Sequence, residues 1–165
     1  MRVPSYTTVS VLSDVPPGAL LYFLEGGAVC LAISGQHTES QRRGVVVLSR
    51  DGKVVSPDLV NVTNVDTDAA ALLRPTDVEV VPSPLAVVQT TRGEVEFRPG
   101  CLILASNGVA FLIGGSTVNS RFSLNLANGQ FEPLPSVGPK VVYRRWQLVR
   151  PDEWPRVPIL DYEAN

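Results

Sequence analysis

His37 is the single histidine of this chain, and Glu39 follows two residues later in the polar stretch Gly35-Gln36-His37-Thr38-Glu39-Ser40-Gln41-Arg42-Arg43-Gly44. An imidazole oriented by a carboxylate is the smallest general-base pair a protein can build. Here the two sit close together in a loop between strand-like runs. No Gly-x-Ser-x-Gly elbow or other nucleophile motif accompanies them. The stretch reads as a solvated hairpin loop, with His37, Arg42 and Arg43 as candidates for contact with a partner and not for catalysis.

Metal chemistry fares no better. A structural zinc site takes four ligands at recognisable spacing, and His37, Cys30 and Cys101 are scattered singly. Asp66-Thr67-Asp68 offers oxygens to calcium, but no glycine-punctuated loop with a distal glutamate follows, so it reads as a cap or turn. The cysteines lie inside apolar runs and are expected as buried, reduced thiols. With no glycine-rich phosphate loop either, no cofactor is expected.

Tyr143-Arg144-Arg145-Trp146 interleaves bases with aromatics, as platforms for single-stranded nucleic acid do. Alternation along a strand would put Tyr143 and Arg145 on one face and Arg144 and Trp146 on the other, which halves the platform. A net charge of −2 supplies no field for nucleic acid or an anionic membrane. Nucleic acid is therefore not an expected partner, and Arg144 stands as a candidate for protein contact. The segment 151–165 carries Pro151, Pro155 and Pro158, which favour an extended arm. It nevertheless keeps Trp154, Ile159, Leu160 and Tyr162, large apolar groups that call for a groove on this chain or on an adjacent subunit.

The elements that must carry these residues are strands. Pro17-Gly18-Ala19-Leu20-Leu21-Tyr22-Phe23-Leu24 has a counterpart in Pro99-Gly100-Cys101-Leu102-Ile103-Leu104-Ala105-Ser106. Val47-Leu48-Ser49-Arg50-Asp51-Gly52-Lys53-Val54 pairs in the same order with Leu124-Asn125-Leu126-Ala127-Asn128-Gly129-Gln130-Phe131, and Leu72-Leu73-Arg74-Pro75 with Leu148-Val149-Arg150-Pro151. The offset drifts only from 82 to 76 while the order is kept, the mark of an internal duplication. Gly26-Gly27, Asp51-Gly52, Asn107-Gly108 and Asn128-Gly129 sit between apolar runs, two per copy, and predict hairpins with type I′ turns. Flanking strands are expected over 7–12, 69–73, 85–91 and 141–149, and a short helix over 66–73 is the weaker alternative to strand. Runs such as 19–24 and 109–113 are apolar on both faces and require cover on both sides.

The expected fold is thus all-β with little or no helix: a tandem duplication of two small antiparallel β-barrel or sandwich-like modules, 1–82 and 83–150, followed by a Pro-rich arm, 151–165. Charged residues make up 18% of the chain, below the roughly 25% usual for soluble domains, and 12 arginines stand against Lys53 and Lys140 alone. Arginine is enriched and lysine depleted where proteins meet. No leader or membrane-spanning run is read. These features point to a non-enzymatic assembly protein in a homo-oligomer or larger assembly. Its composition and architecture look like those of an accessory component of a bacteriophage particle, decorating the capsid or sitting at the head–tail or tail connection. The expected location is the virion, assembled in the host cytoplasm, with a cytoplasmic protein as the alternative. The competing reading is a module that binds glycan, peptide or protein through its inter-strand loops.

Overall fold

The computed structural model describes residues 8–61, 69–72, 78–84, 87–90, 97–115, 120–135, 138–150, 155 and 158–164. Apart from one 3₁₀ turn, all of its regular secondary structure is strand. The first half holds β1 (Thr8–Val11), a 3₁₀ turn (Leu12–Asp14), β2 (Leu20–Glu25), β3 (Ala28–His37), β4 (Arg43–Arg50), β5 (Lys53–Asn61), β6 (Ala69–Leu72) and β7 (Glu79–Pro82). The second holds β8 (Val87–Thr90), β9 (Leu102–Ala105), β10 (Ala110–Gly114), β11 (Phe122–Asn125), β12 (Gln130–Phe131), β13 (Lys140–Tyr143), β14 (Arg145–Val149) and β15 (Pro158–Glu163). Ala69–Leu72 is strand despite the helical propensity of its Ala-Ala-Ala-Leu sequence, because it is paired on both sides, with β1 and β2.

Antiparallel pairing runs β1-β6-β2-β3-β4-β5 in the first half and β8-β13-β9-β10-β11-β12 in the second. Registers agree across the halves, and they equate Leu72 with Val142 in β13 and not, as the sequence repeat had it, with Leu148, which lies in the small sheet. Leu72 lies opposite both Thr8 and Leu21, and Val142 opposite both Val88 and Ile103. Ile33 faces Val46 as Leu112 faces Leu124. The Pro-Gly turns share one hydrogen-bond signature: Gly18 N–H donates to Ser34 O (2.9 Å) and Gly100 N–H to Ile113 O (2.7 Å), with Ala19 N–H returning to Pro16 O and Cys101 N–H to Arg98 O. Positive φ at Gly18 (82°) and Gly100 (90°) is what this turn needs from glycine. Register shifts in the first half, on both sides of β4, separate it from the second. A bulge at Leu48 sets Ala32 opposite Val47 but Leu31 opposite Ser49, so the offset between halves falls by one residue there.

Two contacts join the halves in a reciprocal way. β12 lies parallel to the end of β3, with Gln36 N–H donating to Gly129 O (2.9 Å). At the matching place Gly115 N–H, just past β10, donates to Pro57 O in β5 (2.9 Å). The twelve-stranded sheet so formed does not close. A second, three-stranded sheet runs β15-β14-β7 and unites the last strand before residue 83 with the arm.

β3 and β4 are covered on both faces. Leu31, Ile33, Val46 and Leu48 face a core shared with Phe111, Leu112, Leu124, Phe131, Trp146 and Tyr162. Cys30, Ala32, Val45 and Val47 face a smaller core closed by Leu12 and Val15 of the 3₁₀ turn region, with Leu21, Phe23 and Ala70. Both cysteines are buried and unpaired with each other.

Two local expectations need correction. Both central residues take positive φ only in the first half, at Gly26-Gly27 (57°, 86°) and Asp51-Gly52 (47°, 73°). In the second half only Gly108 and Gly129 do so. There the asparagine side chains close the turns instead, Asn107 Oδ1 accepting from Val109 N–H and Asn128 Oδ1 from Gln130 N–H, an Asx geometry that leaves the asparagine right-handed. The expected strand over 141–149 is also two strands, because the chain breaks at Arg144 and passes from the large sheet to the small one.

Candidate functional site

The residues singled out from sequence fall in different places. His37 ends β3 and is half-buried, its ring tilted against Phe131 at 4.7 Å, while Glu39 is exposed in the following turn. Arg43 is tied to the chain itself, its guanidinium donating to Ser13 O and Val15 O at the 3₁₀ turn. Arg42 and Arg144 are exposed. Trp154 and Asp66 to Asp68 lie outside the described residues. Among the described residues, no three of His, Cys, Asp and Glu gather as metal ligands, and no helix is long and apolar enough to cross a membrane.

The arm docks on its own chain. Leu160 and Tyr162 are buried in the shared core, and Ile159 packs partly against it. Tyr162 stacks on Trp146 (centroids 5.2 Å, planes 14° apart), whose Nε1–H donates to Gly100 O at 2.8 Å. Burial pushes the Tyr162 phenol up to about 12. At the surface of the same sheet, Arg145 grips Asp161 through Nε–Oδ1 (3.2 Å) and Nη2–Oδ2 (2.8 Å), and this hydrogen bonding holds the Asp161 carboxyl below its ordinary value. Leu160 and Tyr162 thus serve the fold, and their packing leaves them no surface to offer a partner.

What the structure does leave open is one edge of the large sheet. Cross-strand partners Val9, Ala71, Tyr22 and Leu31 form a row over β1, β6, β2 and β3. Leu31 is buried in the shared core, Tyr22 is half-buried against it, and Val9 is 74% exposed. Core-facing residues continue past the rim of the core into water. Leu24 and Val29, paired with each other and on the same face as Tyr22 and Leu31, are 57% and 47% exposed, and Val11 is 41% exposed. Full burial of a Val or Leu is worth about 1.5–3 kcal/mol, so these four side chains leave about 4 kcal/mol unrealised. No family model, curated protein or solved structure matches this chain.

The fold does not demand this apolar edge. By register, the second half places Gln89 where the first has Val9, Ser106 where it has Leu24, and Gly108 where it has Val29. Identical strand pairing therefore tolerates polar residues or glycine at these three positions. Among the described residues β1 pairs only with β6, and Thr8-Val9-Ser10-Val11 carries no lysine or proline of the kind that blunts a free edge. The signal was present in the repeat alignment, as the Leu24/Ser106 mismatch; it needed the register to show that Val9, Leu24 and Val29 share a face.

Proposed function

We propose that this protein is a non-enzymatic structural subunit that works by protein–protein contact, through the β1 edge and the apolar face of Val9, Leu24 and Val29. The carrying observation is that Val9, Leu24 and Val29 stand exposed on one face where the second half has Gln89, Ser106 and Gly108. Shared strand order, registers and Pro-Gly turns support descent from one duplicated module, and the reciprocal Gln36–Gly129 and Gly115–Pro57 contacts tie the two copies into one scaffold. On that reading the duplication supplies the scaffold, and one copy has diverged toward binding.

The narrower form of the proposal is an accessory component of a bacteriophage particle, on the capsid or at the head–tail or tail connection. Its support is compositional: few charges, arginine over lysine, and a small duplicated β scaffold. The test is direct. Genes for capsid, portal or tail proteins should flank this one, and mass spectrometry of purified particles should find the chain in fixed proportion to the capsid protein. Metabolic neighbours and particles lacking the chain would refute the assignment.

A further inference from the structure

We infer that the occupant of the β1 edge is a second copy of this chain, paired antiparallel through β1 about a twofold axis. The inference rests on the proposed reading of that edge as a contact surface. In such a pair every residue of Thr8-Val9-Ser10-Val11 meets itself or a near neighbour from the other copy. A charge anywhere in the strand would meet its like. The strand has none, and neither do Tyr22, Leu24, Val29 and Ala71 behind it, so the surface is compatible with itself and offers nothing to a charged partner such as nucleic acid or lipid headgroups. Glu25, next to Leu24 in β2, lies on the opposite face and is held by Arg50 at 2.6 Å, and the Asp51 carboxylate is engaged by Val29 N–H at 2.8 Å.

The side-chain pattern also suits the symmetry. A twofold axis normal to the sheet pairs residues of equal parity, setting Val9 against Val9 or against Val11 and keeping both valines of both copies on one face. Each copy then extends the other's row of Val9, Ala71 and Tyr22, and the core-facing layer runs unbroken from one shared core to the other. Four residues of strand and a narrow apolar strip make a small interface, well under the roughly 1,200 Å² of a standard stable complex. The dimer is therefore expected to dissociate in the micromolar range.

Sedimentation velocity of the full chain from about 1 to 300 µM tests this, a span chosen to bracket a micromolar constant. The natural chain should shift from monomer to dimer. Val9→Lys, at a position already exposed, should keep the circular dichroism and melting of the natural chain and weaken the dimer at least about tenfold. Mixing Val9→Lys with Val9→Glu should restore a heterodimer. A dimer that survives both Val9→Lys and Leu24→Lys overturns the inference, since copies then meet elsewhere, while leaving the assembly reading intact. A chain that stays monomeric at every concentration also overturns it; the assembly reading then falls only if purified particles lack the chain.

Discussion

Gly18 and Gly100 hold the same place in two equivalent turns, so alanine at each should expose what differs around them. Both have φ near +80 to +90°, where a Cβ costs about 1–2 kcal/mol. At Gly18 that is nearly the whole effect, because an added Cβ would meet the Asn128–Gly129 backbone no closer than an ordinary 3.4 Å. At Gly100 the Cβ would fall inside the ring of Tyr162. That ring cannot step aside freely, being stacked on Trp146, which is itself hydrogen-bonded to the Gly100 carbonyl. Overpacking of this kind costs about 1–3 kcal/mol more. Gly100→Ala should therefore destabilise by about 2–5 kcal/mol and Gly18→Ala by about 1–2 kcal/mol, against a total stability of about 5–15 kcal/mol. Urea unfolding followed by tryptophan fluorescence reads both, as midpoint shifts at constant slope. In a Tyr162→Val background the excess at Gly100 should vanish, because the offending ring is gone. The account fails if Gly100→Ala costs no more than Gly18→Ala, or if the excess persists without the ring.

Gly129→Ala should be the most damaging glycine change at the join between halves, since its Cβ would overlap the backbone of Pro17 and Gly18; failure to refold, or a loss exceeding that of Gly18→Ala, is expected in the same urea assay. Tyr162 gives the fold an alkaline limit: its phenol stays neutral when buried and ionises freely when unfolded, so stability should be level below about pH 10 and fall by about 2–3 kcal/mol as pH rises to 12, a fall removed in Tyr162→Phe. Burial also pushes the Cys30 and Cys101 thiols up, so a disulfide-exchange reagent at neutral pH should label neither cysteine in the folded chain and both in urea. Arg145→Ala should leave the urea midpoint nearly unchanged, because the Arg145–Asp161 pair is solvent-exposed.

The strand content, the paired turns and the Pro-Gly entries were legible in the chain because each is local chemistry. Glycine at a positive-φ turn and β-branched runs beside it need no partner to be read. The break at Arg144 was not legible: Val141 to Val149 is continuous in strand propensity, and only the competing demands of two sheets divide it. Likewise Leu160 and Tyr162 were recognisable as residues needing a groove, but which groove depended on β14 and Gly100, far away in sequence. The exposed row at Val9 was the hardest to see. Alternation in Thr8-Val9-Ser10-Val11 says that one side is apolar, and nothing local says whether that side meets a core or runs beyond its edge.

The reciprocal join between halves has a consequence for how the chain is made. Leu31, Ile33, Val46 and Leu48 emerge early, yet the residues that cover them, Phe111 to Phe131, lie in the second half. Roughly 70 residues separate the end of β5 from β12. At about 5–20 residues per second, the first half waits several seconds on the ribosome with one face of β3 and β4 uncovered. During that interval its nearest structural mimic of the missing half is another nascent first half, with the same strand order and a matching apolar face. The single-chain arrangement wins when the second half arrives already tethered, at an effective concentration that no neighbouring chain can match.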